Sequence, residues 1–191
     1  MMNRVINMEL SILNWIQTLR TPMLDRFFAL FTSLGDHGEI WFIILLILFV
    51  MKKTRKVAIL GLIAISVEVV LISGIIKPIV MRPRPFYANP VDLIISVPRG
   101  SSFPSGHAAS SFAVAMILYF NNIKYKPIYI SLAILMAFSR LYAYVHYPSD
   151  VLVGTLLGIF IAYEVTKYQD VLFKIMNSIL VRIGIKKEIA P

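Results

Sequence analysis

The sequence predicts an all-α integral membrane bundle of about six transmembrane helices with an amphipathic helix at its N-terminal end. Two observations carry that prediction. Of 191 residues, 58% are hydrophobic and 15% charged, where soluble domains average roughly 45–50% apolar and about 25% charged. Apolar runs also recur along the whole chain, and at roughly 20 residues per span about six helices use nearly all of it. A single membrane-embedded domain over residues 1–191 is therefore expected. There is no cysteine, which excludes disulfide frameworks, thiolate metal sites and cysteine nucleophiles.

The first 35 residues read as two short helices, Met8 to Leu19 and Pro22 to Leu34, separated by Arg20, Thr21 and Pro22. The first is amphipathic and expected to lie at the interface; the second forms or extends a short span. Glu9 interrupts the apolar run and no small-residue cleavage site follows, so no signal peptide is expected. Five clearer spans follow: Glu39 to Met51, Val57 to Ile76, Pro104 to Phe120, Pro127 to Val145, and Pro148 to about Lys167. Gly154 and Gly158, spaced as GxxxG, predict close helix packing.

The net charge is +9, from 19 Lys and Arg against 10 Asp and Glu. Its placement argues for a bilayer partner and against nucleic acid. Lys52, Lys53, Arg55 and Lys56, then Lys124 and Lys126, then Lys174, Arg182, Lys186 and Lys187 fall between or after apolar runs, as cytoplasmic loops and a basic tail do. With those loops inside, the segment 77–103 lies outside. Yet it holds Lys77, Arg82, Arg84 and Arg99, where the positive-inside rule disfavours them. These cations need another reason to be there.

Three patches meet on that outer face. In the first, Lys77 and Arg84 flank a proline-stiffened turn; a compact ammonium and a planar guanidinium suit phosphate oxygens, although headgroup snorkelling explains such a pair equally well. In the second, Ser105, Gly106 and His107 open a helix after Pro104, so free backbone N–H groups attract an anion. Ser105 adds a hydroxyl, and His107 stands close enough to protonate a departing oxygen, unless it is an ordinary interfacial histidine. In the third, Arg140 lies near a span end and needs an anion or polar partner inside the bundle. His146 and Asp150 flank Pro148: a carboxylate there can accept the Nδ1 proton of an imidazole and leave Nε2 as a nucleophile, or merely cap the helix.

Together the patches read K-x6-RP, PSGH and SR-x5-H-x3-D from Lys77 to Asp150. This pattern resembles the signature of the type 2 phosphatidic acid phosphatase (PAP2) family, whose relatives include vanadium-dependent haloperoxidases. The resemblance implies a six-helix bundle with its site at the outer leaflet of the cell membrane. It also implies metal-independent hydrolysis of a lipid phosphate through a phosphohistidine, with no cofactor. Carried over to this chain, it makes His146 the nucleophile, Asp150 its orienting carboxylate and His107 the acid and later base. Lys77, Arg84, Arg140, Ser105 and Gly106 would bind phosphate. Members that convert undecaprenyl diphosphate to the monophosphate resemble this chain in size and plan. Others prefer phosphatidylglycerophosphate or phosphatidic acid. One departure is Gly106, where some dedicated undecaprenyl diphosphatases carry PSDH. A phosphate-binding or transport protein is the alternative from another class.

Outside the signature, Glu68 is expected to pack within the bundle or pair with a cation. Asp36, His37 and Glu39 are expected to cap a helix or to line the site entrance, Arg82, Arg99 and Tyr142 are secondary candidates for the substrate headgroup, and Phe86 and Tyr87 are expected to anchor the outer loop.

Overall fold

In a computed structural model of the chain, residues 2–182 are described and all regular structure among them is helical. Helix α1 covers Met2–Gln17, α2 Pro22–Ser33, α3 Glu39–Val50 and α4 Arg55–Glu68. The last of these runs without a break into a π-helical segment, Val69–Ile76, and then α5, Lys77–Val80. After α6 (Pro85–Ala88) and an irregular outer segment come α7 (Gly106–Phe120), α8 (Lys126–Tyr142), α9 (Pro148–Lys167) and α10 (Gln169–Arg182).

The helix starts follow local chemistry. Thr21 accepts a hydrogen bond from the Leu24 N–H at 3.2 Å, with Pro22 in the first turn of α2. Pro127 and Pro148 open α8 and α9 in the same way, where their missing N–H costs nothing.

Helix α7 is the centre of the bundle and packs against α4, α8 and α9. The closest approach is to α9: a Cβ on Gly154 would collide with the Ser105 carbonyl oxygen, and one on Gly158 with the Ala109 carbonyl oxygen. Those two glycines therefore pack the helices, as their spacing predicts. One apolar core joins α3, α4, α7 and α9 around Trp41, Leu60, Val114 and Ala162. A second joins α1, α2 and the end of α8 around Leu13, Phe28 and Tyr142.

Outside these cores the bundle turns hydrocarbon outward. Leu46 and Ile47 on α3 and Leu152, Leu156 and Phe160 on α9 are all more than half exposed, a distribution suited to lipid rather than water. The stretches Arg55–Ala88 and Pro148–Lys167 are long and apolar enough to cross a bilayer; Glu39–Val50 and Gly106–Phe120 are apolar but shorter.

Three elements differ from expectation. Helix α1 does present Met8, Ile12 and Trp15 outward, but it buries Glu9 with Leu13 and Ile16 against the bundle. Residues read as a basic tail form α10, with Phe173 packed into the first core; Lys186 and Lys187 lie outside the described residues. Phe86 is buried in the second core, while Tyr87 is 68% exposed.

Candidate active site

The last turn of α8 and the short link to α9 carry the third sequence patch into the protein. Arg140, His146 and Asp150 are each at most 2% exposed. Arg140 donates through Nη1 to Thr32 Oγ1 on α2, while its Nε has no hydrogen-bond partner. His146 Nε2 lies 3.3 Å from Arg84 Nη1. A guanidinium only donates, so Nε2 is the acceptor and carries the lone pair; the ring proton then belongs on Nδ1. That atom faces Asp150 Oδ2 at 3.6 Å, beyond hydrogen-bonding distance, as catalytic pairs often are before substrate binds.

Asp150 caps its helix and stands beside His146. Its Oδ2 accepts the Tyr147 N–H at 2.8 Å, closing the first turn of α9, and the same oxygen faces His146. Its Oδ1 accepts Arg82 Nη1 at 2.6 Å. Arg82 therefore does not reach toward a headgroup. It also donates to Glu9 Oε2 at 2.6 Å and Ser149 Oγ at 2.7 Å, and its guanidinium lies over the Tyr147 ring. Glu9 in turn accepts the Ser149 N–H at 2.9 Å. Sequence reasoning missed Glu9, whose one signal was a carboxylate inside an apolar helix.

Arg84 is held by main-chain carbonyls: Nη1 donates to Val145 at 2.9 Å, Nε to Gly100 at 3.2 Å and Nη2 to Arg99 at 3.2 Å. Arg99 contributes only that carbonyl here and its side chain is exposed. Tyr142 donates to Asp25 on α2 at 2.7 Å.

The second patch joins the third by backbone. The Ser105 N–H donates to the Asp150 carbonyl at 3.0 Å, and Ser105 Oγ caps α7 by accepting from Ala108 N–H. Gly106 follows: a Cβ there would lie 3.9 Å from Lys77 Nζ, so the ammonium sits at the start of α7. His107 Nε2 lies 3.2 Å from Asp36 Oδ1 on the loop before α3. Asp36 takes the entrance position rather than a capping one: it lines the cavity beside His107, and the hydrogen bond from His107 holds its carboxyl below the usual carboxylate range. His37 pairs with Glu39 at 2.9 Å and is exposed.

The electrostatics are one-sided. Complete burial, then the charges of Arg140, Arg84 and Lys77, push the His146 pKa well below the ordinary histidine value. His146 is thus a neutral base surrounded by cations, a setting that favours an arriving anion. No group of three or more His, Cys, Asp or Glu side chains among the described residues is arranged to hold a metal ion.

The profile of the PAP2 superfamily matches residues 55–174, a stretch that contains every one of these signature residues. The chain belongs to that superfamily. Members related to it include an undecaprenyl-diphosphatase of Sulfolobus acidocaldarius, 35% identical over 139 residues, or 71% of this chain and 67% of that one. Another is the undecaprenyl-diphosphatase BcrC of Bacillus subtilis, 32% identical over 101 residues, or 53% of this chain and 52% of that one. Among solved PAP2-like structures, LpxE of Aquifex aeolicus superimposes with a TM-score of 0.74 at 34% identity, covering 83% of this chain and 94% of its own. A PAP2-type phosphatidylglycerolphosphate phosphatase of Bacillus subtilis gives 0.72 at 27% identity, covering 88% and 87%. The chain is accordingly a lipid phosphatase of the PAP2 type, and its fold is that of the membrane-embedded members.

Proposed function

We propose that this single-domain, six-span protein hydrolyses undecaprenyl diphosphate to undecaprenyl phosphate at the outer leaflet, through a phosphohistidine and without a metal. One observation carries the mechanism: the His146 Nε2 lone pair is fixed beside Arg84, with Nδ1 turned toward Asp150. Lys77, Arg84 and Arg140, with the Ser105 hydroxyl and the Gly106 N–H, hold the oxygens of the terminal phosphate. Fixed cations and helix N–H groups supply the charge neutralisation that phosphoryl transfer demands. Nε2 attacks phosphorus in line; the N–P bond forms as the bond to the bridging oxygen breaks, and His107 gives that oxygen its proton. Asp150 accepts a hydrogen bond from Nδ1–H, which keeps its proton, and stabilises the ring as it becomes cationic. Water, deprotonated by His107, then attacks phosphorus, the N–P bond breaks, and phosphate leaves.

The undecaprenyl-diphosphatase relatives support the choice of substrate. The likeness to a phosphatidylglycerolphosphate phosphatase supports a glycerolipid as the second reading. Phosphate release by purified protein in detergent and EDTA tests both, comparing undecaprenyl diphosphate, phosphatidylglycerophosphate and phosphatidic acid, with His146→Ala as the blank. Preference for the diphosphate is expected. Preference for a glycerolipid replaces the substrate and keeps the chemistry; release from none leaves a binding or transport protein.

A further inference from the structure

Glu68 and Lys77 are nine residues apart. In an α-helix, at about 100° per residue, nine steps leave two side chains about 180° apart. Here the intervening Val69–Ile76 is π-helical, and at the roughly 82° per residue of an i→i+5 helix nine steps return to within about 20°. Ser73, five residues after Glu68, lies roughly 50° past one such turn. Glu68, Ser73 and Lys77 thus form a polar ladder on one wall of a cavity of about 260 Å³, faced by Asp36, His107 and Ser110.

Glu68 is 3% exposed, lines that cavity, and makes no hydrogen bond or ion pair with a described residue. Its Oε1 would lie 3.5 Å from a Cβ on Gly106, beside the Lys77 ammonium. A carboxyl so little exposed to water gains from a donor, and the space in front of this one is the cavity, so it calls for a donor from whatever fills that cavity. The cavity borders the phosphate cradle at His107 and Lys77, whereas His146, Arg84 and Arg140 are not among its lining residues. In-line displacement places the leaving group opposite the nucleophile, next to the group that protonates it.

We infer that this cavity is the leaving-group subsite and that Glu68 is its selecting residue. The carboxyl accepts a hydrogen bond from a hydroxyl on the leaving alcohol, as on a glycerol or a sugar, and opposes added negative charge. Both kinds of leaving group enter. When either P–O bond breaks, the electron pair stays on the bridging oxygen and takes the His107 proton. A leaving phosphate does so against the lone pairs of the Glu68 carboxyl oxygens, and a hydroxyl-bearing alcohol does so with their help. The inference rests on the phosphatase reading above and, within it, narrows the margin by which the diphosphate is preferred over a glycerolipid.

The test compares kcat/KM for undecaprenyl diphosphate and for phosphatidylglycerophosphate, whose leaving glycerol bears a free hydroxyl. Glu68→Gln is expected to shift the ratio about tenfold toward the diphosphate, and Glu68→Asp to shift it less in the same direction. An unchanged ratio, or a shift toward the glycerolipid, overturns the inference. Displacement titrations with inorganic pyrophosphate and glycerol 3-phosphate read the same preference without turnover. A relative gain for pyrophosphate in Glu68→Gln supports the subsite, and none refutes it. Absence of phosphate release by the wild-type protein would count against the phosphatase reading alone.

Discussion

His146 and the three cations around it set what single side chains are expected to do. His146→Ala abolishes phosphate release, because no other described nucleophile is flanked by Arg84, Arg140 and Lys77. Lys77→Ala and Arg140→Ala act mainly on KM, since each removes a charge from the cradle while leaving the nucleophile in place. The pH dependence has a definite sign. The pKa of His146 is held below the ordinary value by burial and by its cationic neighbours, so the imidazole stays neutral, and nucleophilic, as pH falls through about 6.5. Replacing Arg84 by Gln removes one of those cations, raises the His146 pKa, and moves the acid limb of kcat/KM to higher pH. Profiles of the two proteins on one substrate isolate the shift, because the substrate titrates equally in both. Arg82→Gln is expected to cut kcat by about 10- to 100-fold with little change in KM, since it strips Asp150 of its buried counter-charge without touching the phosphate. A dominant change in KM would return Arg82 to the headgroup. At this scale the sequence was readable where charge conflicted with position, as at Lys77, Arg84 and Arg140. It was not readable for Arg82 and Glu9, which recognise each other across 73 residues, because no local pattern records such a pairing.

Helix packing determines whether those residues meet. Gly154 lets α9 approach the Ser105 carbonyl closely, and the Ser105 N–H bonds the Asp150 carbonyl at 3.0 Å. Gly154→Val is therefore expected to drive α9 from α7, lower stability by about 1–3 kcal/mol or more, and separate the PSGH segment from the His146–Asp150 pair. The midpoint of thermal unfolding in detergent and kcat should fall together. An unchanged midpoint would mean that the contact is not tight. Spacing made the GxxxG contact readable, and proline with apolar runs placed α3, α7, α8 and α9. The π-helical segment had no such signature. Ordinary α-helical periodicity sets Glu68 opposite Lys77, so spacing alone does not bring that carboxylate to the same cavity wall as the ammonium. Helix α10 was hidden by its own basic residues, which resemble a tail until Phe173 is seen in the core.

Over the whole molecule, charge and hydrocarbon are separated by end. The link from α3 to α4 and the first turn of α4 carry Lys52, Lys53, Arg55 and Lys56, while the cations of the candidate site gather near the start of α7 and the end of α8. This polarity puts the site outside if the basic link is cytoplasmic. Because the chain has no cysteine of its own, a single cysteine introduced between residues 88 and 97 is a clean reporter. It should react with an impermeant thiol reagent in intact cells, and labelling only after lysis would reverse the orientation. The tie between Glu9 and the start of α9 also bears on the protein's synthesis. Glu9 leaves the ribosome early, but the Ser149 N–H it accepts from comes 140 residues later. Asp150 acquires its Arg82–Glu9 support only when nearly the whole chain has entered the membrane. A nascent chain halted between α7 and the end of α8 holds Lys77, Arg84 and His107 but not His146, Ser149 or Asp150, so on the proposed mechanism hydrolysis waits for the start of α9.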